Sequence, residues 1–528
     1  MKTLIFSLLT MLSVLLPKAA EESPVFADGM QQKCRICVAP VTVCADKTFS
    51  DLVPVWAEFL DGTPVGVKAV RSAHKASVVL QHVPGMEEEE YVIRMSAKNI
   101  TVEASCTKGA WWGLQSLTQM IVAALPGKTA DAVILPAYII KDKPAFSYRG
   151  AHLDCCRHFF TVQEVKRFID MMCLHKLNTF HWHLTDDQGW RIEIKKYPLL
   201  TEVGSIRKET IVGHSHDKPQ KFDGVPYGKG MFYTQEQCRE VVAYAAARQI
   251  TVIPEIEMPG HMVAALSAYP YLGCTGGPYD VWTKWGISKD VLCLGKESSY
   301  SFVEDILTEV CDIFPSHYIH IGGDEAPVDR RKSCQACQQK MKELGLTEEK
   351  QLQGHLITRV EEFLKTKGRE IIGWNEILDT GISKDAIIMS WQGTGTSGVL
   401  AAQRGNRVIM TPGKFLYFDY YQTENPSQEP LAIGGCLPLK KVYSFDPYAG
   451  LNERQRACIV GIQANTWTEY MASFDHVQHM DLPRMSALSE LSWSAEKDDY
   501  PAFFGRLKAN MLPLYDFFGY IYAKYEFE

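Results

Sequence analysis

The stretch His320-Ile-Gly-Gly-Asp-Glu325 ends a short apolar run with two adjacent carboxylates, a pairing suited to acid/base chemistry. An isolated Gly-Gly-Asp-Glu is equally a charged turn, so the rest of the chain decides between the two. Similar short runs end on Asp154 and Arg157, on His181-Trp182-His183 with Asp186 and Asp187, and on Glu257 with His261 around Met258-Pro259-Gly260. Later runs end on Trp374 and Glu376, Trp391, Tyr417 and Asp419, and Trp467 and Glu469. Carboxylates and arginine hydrogen-bond hydroxyl groups, while tryptophan faces pack on the apolar C–H faces of a sugar ring. The set therefore describes a pocket for a monosaccharide.

The elements that must carry these residues follow from periodicity. Residues 24–143 read as a small α+β domain, with alternating strands at Tyr91–Met95 and Ile100–Ala104 and a helix opening near Gly109. The run Glu87 to Glu90 reads there as a solvated loop. After the polar linker Lys141-Asp142-Lys143-Pro144, short apolar strands alternate with amphipathic helices, the pattern of parallel βα units. Thr161-x-x-Glu164 and Thr234-x-x-Gln237 are capping boxes that open two of the helices. Eight strands are expected, at 148–154, 179–184, 251–257, 318–323, 370–374, 386–391, 407–411 and 459–465. They predict an α/β fold, a (β/α)₈ TIM barrel over 144–500, with residues 204–230 and 271–297 as loops over one face. Residues 501–528 are expected to form a helical tail packed on the barrel. The chemical residues then fall at the C-terminal ends of successive strands, where barrels of this class place their active sites.

Composition narrows the function classes. At 528 residues, with 46% hydrophobic and 22% charged residues, the chain has the balance of a globular protein, and a net charge of −7 with no basic run argues against nucleic acid as its main partner. Residues 1–20 combine a basic start with an apolar stretch too short for a comfortable membrane span, and read as a signal peptide for export, leaving no integral span after cleavage. The fifteen cysteines are odd in number and scattered, as small buried hydrophobes are. Cys334-x-x-Cys337 reads as a loop disulfide or free thiols. A zinc site would need two further ligands and a second Cys-x-x-Cys is absent, so no metal and no cofactor are expected.

Tyr148-Arg-Gly-Ala-His-Leu-Asp154-x-x-Arg157-His158-Phe159, His181-Trp-His-Leu-Thr-Asp-Asp187-Gln-Gly-Trp190-Arg191, Pro254-Glu-Ile-Glu-Met-Pro-Gly-His261 and His320-Ile-Gly-Gly-Asp-Glu325 resemble, in order and spacing, the β-N-acetylhexosaminidases of glycoside hydrolase family 20. Gly373-Trp-Asn-Glu376, Ser390-Trp-Gln-Gly393, Tyr417-x-Asp419 and Trp467-x-Glu469 extend the likeness. The resemblance implies exo-hydrolysis of terminal β-linked N-acetylhexosamine from a glycan, in which the substrate's own 2-acetamido oxygen attacks the anomeric carbon. It implies Glu325 as general acid and base, Asp324 as the partner of the acetamide N–H, and Tyr417 as a donor to the acetamide oxygen. Trp374, Trp391 and Trp467 would wall the pocket, and Arg157, Asp419 and Glu469 would hold ring hydroxyls. Asp186, His261 and Glu257 would support these groups or touch the sugar. Two rivals are a metal-dependent hydrolase built on His181-x-His183 and a non-catalytic glycan-binding protein.

Overall fold

The structure, a computed structural model, describes residues 33–125 and 131–527. The expected signal peptide lies outside them. No helix among the described residues is long and apolar enough to cross a membrane.

The N-terminal unit is a six-stranded mixed sheet in the order Val67–Ala69, Val41–Ala45, Val78–His82, Ile100–Ala104, Tyr91–Met95, Ile139–Asp142. Helix α1 (Thr107–Ala123) packs on it, and its Gly113 is needed because a Cβ there would lie 2.5 Å from Val102 Cγ1. Within the expected solvated loop at Glu87 to Glu90, Glu87 and Glu88 are exposed, while Glu89 docks the domain on the barrel. Glu89 pairs with the fully buried Arg149 at the start of the barrel, accepts a hydrogen bond from Trp112 Nε1 (3.1 Å) and another from Asn178 Nδ2 (3.1 Å). A buried guanidinium requires such a partner, which four acidic residues in a row do not reveal.

Eight parallel strands close the barrel: β1 (Tyr148–Asp154), β2 (Thr179–His183), β3 (Thr251–Glu255), β4 (Tyr318–His320), β5 (Glu370–Trp374), β6 (Ile387–Ser390), β7 (Val408–Met410) and β8 (Ile459–Thr466), with β8 paired to β1. Each coincides with an expected strand, because a strand buried on both faces reads as a short continuous apolar run. Both capping boxes are formed, by Thr161 and Glu164 at α2 (Val162–Leu174) and by Thr234 and Gln237 at α3 (Gln235–Ala247). The βα alternation breaks once, where a 3₁₀ turn over Asn375–Thr380 replaces a helix between β5 and β6. After Tyr500 the chain is helical to Phe518 and wedges between the two units: Phe518 packs on Phe59 of the small domain (5.4 Å between rings), while Arg167 Nη2 of the barrel donates to Gly519 O (2.8 Å).

Candidate active site

At the C-terminal end of the barrel lies a cavity of about 400 Å³. Strand register builds its floor. Pairing sets His183, Glu255 and His320 side by side on β2, β3 and β4. Glu255 Oε1 accepts from Trp374 Nε1 (2.7 Å) and lies 2.8 Å from His320 Nδ1; its Oε2 lies against His183 and 3.1 Å from His181 Nε2. Burial alone would neutralise this carboxyl, but His320 and His183 outweigh it and hold Glu255 well below the ordinary carboxylate range. Of the pair His181-x-His183, His183 has both ring nitrogens engaged, Nδ1 by Glu255 and Nε2 by Asp186, which leaves it none to offer a metal.

The charge network continues upward. His183 Nε2 lies 2.8 Å from Asp186 Oδ2, and although burial disfavours its charged form, Glu255 and Asp186 raise it to about 10. Asp186 also meets Arg157 Nη2 at 2.9 Å and His261 Nδ1 at 3.2 Å. Against the cost of burial, Arg157 and His261 keep Asp186 ionised far below its usual range. His261 then reaches the two carboxylates at the tip of β4, its Nε2 lying 3.6 Å from both Asp324 Oδ2 and Glu325 Oε2. Burial opposes its proton, yet Asp186 and Asp324 lift His261 well above the ordinary imidazole value. His261 is therefore a cation held between the barrel floor and the acid/base pair.

Gly322 and Gly323 are required where they stand. Both are left-handed (φ +63° and +95°), and a Cβ on Gly322 would lie 1.8 Å from the Glu257 carboxylate. Glu325 itself has φ +43° and His261 φ +53°, conformations that non-glycine residues rarely adopt and that cluster at functional sites. The two residues of the pair differ in access: the Asp324 side chain is 12% exposed and that of Glu325 31%. Burial, with help from Glu325, raises Asp324 to about 6 despite His261.

Arg157, Asp186, His261, Asp324, Glu325, Trp374, Trp391, Tyr417, Asp419, Trp467 and Glu469 all line this one cavity. Trp391 stacks on Tyr417 (6.0 Å, 20°), and Trp467 lies beneath the Arg157 guanidinium (5.1 Å) and beside Trp374 (5.9 Å). Several acceptors there lack a protein donor: Asp324 Oδ1, Asp419 Oδ1, Glu469 Oε2 and both oxygens of Glu257 are buried with no hydrogen-bond partner. Desolvation raises Asp419, Glu257 and Glu469. Buried oxygens unpaired at a cavity are acceptors open to donors from a ligand or from water.

Other residues were not singled out for the site from sequence. Trp285 and Ile287 come from the insertion after β3, Ser215 and His216 from that after β2, and Tyr420 and Tyr470 from the last two loops. The only signal for them was the length of the insertions. Glu376, noted at a strand end but given no role, accepts from Trp391 Nε1 (2.9 Å) and fixes that ring; burial raises its carboxyl to about 8.

Comparison with known proteins agrees with this geometry. Residues 146–496 match the family model "Glycosyl hydrolase family 20, catalytic domain", and residues 38–143 match "Glycosyl hydrolase family 20, domain 2". A beta-hexosaminidase of Porphyromonas gingivalis is 44% identical over 429 residues, 80% of this chain but 53% of its own length, so the chain spans about half of that relative. A beta-N-acetylhexosaminidase of Cellulomonas fimi is 29% identical over 87% of this chain and 86% of its own. Among solved structures, a GH20 exo-beta-N-acetylglucosaminidase of Vibrio harveyi in complex with N-acetylglucosamine superposes with a TM-score of 0.83 at 31% identity, over 97% of this chain and 78% of that one.

Proposed function

The chain belongs to glycosyl hydrolase family 20, and on that premise we propose that it removes terminal, non-reducing β-linked N-acetylhexosamine from glycans with retention of configuration. The observation that carries this reading is the convergence of Asp324 and Glu325 on one imidazole nitrogen, inside a cavity walled by tryptophan and edged with unpaired acceptors. Retaining glycosidases of the common kind set an acid and a nucleophile on either side of the scissile bond, and family 20 is an exception that uses the substrate's acetamide as nucleophile.

Glu325, the more open of the pair, protonates the leaving oxygen as the acetamido oxygen attacks the anomeric carbon. Asp324, more deeply held, accepts the acetamide N–H and balances the positive charge that develops on the oxazolinium ring. Tyr417 donates to the acetamido oxygen, orienting it for attack. Glu325 then takes a proton from the water that opens the ring. Arg157, Asp419 and Glu469 hold the hydroxyls of the terminal sugar, which makes the action exo, and the rings of Trp374, Trp391 and Trp467 exclude water. The free oxygens of Asp419 and Glu469 suit hydroxyl donors of either N-acetylglucosamine or its C4 epimer, with the first the preferred substrate. Export, by secretion or to the periplasm or cell envelope, after removal of residues 1–20, completes the proposal.

The test is turnover of an aryl N-acetyl-β-glucosaminide beside the aryl β-glucoside. The N-acetyl substrate is expected to be cleaved and the glucoside left intact, and Glu325→Gln and Asp324→Ala are each expected to lose about 10²–10³-fold in kcat. Equal cleavage of both substrates, or near-normal turnover by either variant, would overturn the mechanism.

A further inference from the structure

Four cysteines converge beside the segment that follows Asp324 and Glu325. Cys274 follows the turn Pro270–Leu272, and Cys293 lies just before α4 (Glu297–Ile313). Cys334 precedes α5 (Gln335–Leu344), whose first turn contains Cys337. All four thiols are free and lie within 4.8 Å of one another. The Sγ separations are 3.8 Å for Cys274 and Cys337, 3.6 Å for Cys293 and Cys334, and 3.7 Å for Cys293 and Cys337. Four thiolates around zinc at the usual bond length of about 2.3 Å form a tetrahedron with edges of about 3.8 Å. The spacing is that of a coordination shell.

The backbone is arranged for this convergence. Gly273 bridges Leu292, and Cys293 N donates to Leu272 O (2.8 Å), which brings the first two cysteines together. Gly295 allows the second loop to reach α5, since a Cβ there would lie 2.1 Å from the Ala336 carbonyl carbon and 2.3 Å from Cys337 N. The Gly295 N–H in turn serves the Cys293 sulfur.

An independent observation is electrostatic. Arg331 is fully buried, its three guanidinium nitrogens have no hydrogen-bond partner among the described residues, and its charge faces Cys274, Cys293 and Cys337. A buried guanidinium with no anion is costly by several kcal/mol. Neutral thiols, or two disulfides, would leave it uncompensated. A zinc tetrathiolate carries a formal double negative charge and supplies the missing counter-charge.

We propose that Cys274, Cys293, Cys334 and Cys337 form a structural Zn²⁺ site, with Arg331 as its buried counter-ion. With four protein ligands the shell is closed, so the ion staples and does not catalyse. It ties the insertion after β3, which brings Trp285 and Ile287 to the pocket wall, to the segment leaving the acid/base pair. The same two segments are joined by Arg330 and Asp290 (2.7 and 3.2 Å) and by Lys289 and Asp329 (2.9 Å). The two ligands that the sequence does not offer beside Cys334 and Cys337 come from separate positions in one insertion, a pairing that only the fold creates.

The full chain, expressed with zinc present and purified without chelator, is expected to hold about one zinc per molecule by elemental analysis. A mercurial reagent should release it in step with modification of four thiols, and Co²⁺ in its place should give the intense visible bands of tetrahedral cobalt thiolate. Glu325→Gln should keep the metal, whereas Cys274→Ser and Cys337→Ser should lower its content at least about tenfold. Should the cysteine variants aggregate, the mercurial titration of the wild-type chain decides alone. A metal-free wild-type chain, an intact mass lower by four hydrogens from two disulfides, or zinc that stays bound after the four thiols are modified would each overturn the assignment.

Discussion

Asp324→Asn should separate the stability of the chain from its activity, in opposite directions. In the wild-type chain the Asp324 carboxyl is raised from 3.8 to about 6, chiefly by burial and secondarily by Glu325, with His261 only partly offsetting them. At about 1.4 kcal/mol per pK unit, keeping it ionised costs the fold about 3 kcal/mol. The sign follows from the direction: the folded chain holds this proton more tightly than the unfolded chain, so the stabilisation is complete below pH 3.8 and is lost as pH rises through about 6. Asparagine preserves the shape without the charge. Denaturant titration of both proteins should therefore show no difference near pH 3.5, with a gain for the variant that grows to about 3 kcal/mol above pH 7. Over the same range kcat/KM of the wild type should fall below about pH 6 as Asp324 gains its proton, and the residual rate of the variant should lack that limb. A variant less stable than wild type at pH 8, or a gain that does not change with pH, would refute the reasoning.

Glu469→Ala removes a buried oxygen that has no protein donor, so kcat/KM on an aryl N-acetyl-β-glucosaminide should drop about 10- to 100-fold; an unchanged value would mean that the sugar does not use it. Gly322→Ala combines a left-handed φ of +63° with a Cβ placed 1.8 Å from Glu257, and should lower stability by at least about 2 kcal/mol in denaturant titration, with most of the soluble activity lost.

What could be read in advance and what could not divide along a physical line. The barrel strands were legible because each is a local object: a strand buried on both faces must be apolar throughout, and its polar end marks where it leaves the core. The site was legible for the same reason, since Asp324, Trp374 and Trp467 are each announced by the strand they terminate, and barrel closure then brings eight local signals to one cavity. Features whose partners are distant in the chain were not legible. Glu89 looks like any solvated acid until Arg149 is placed opposite it, and His183 looks like a metal ligand until Glu255 occupies its Nδ1. The cysteines are the extreme case. A lone cysteine carries no more information than a small buried hydrophobe, and the spacing of Cys334 and Cys337 supplies only half of a tetrahedron. The other half depends on the bridge between Gly273 and Leu292 and on the missing side chain of Gly295, both of which are properties of loops. The loops after β3 and β4 meet outside the barrel sheet, held against each other by the pairs of Arg330 with Asp290 and Lys289 with Asp329. A metal staple there would steady Trp285 and Ile287, which line the same cavity as Asp324 and Glu325.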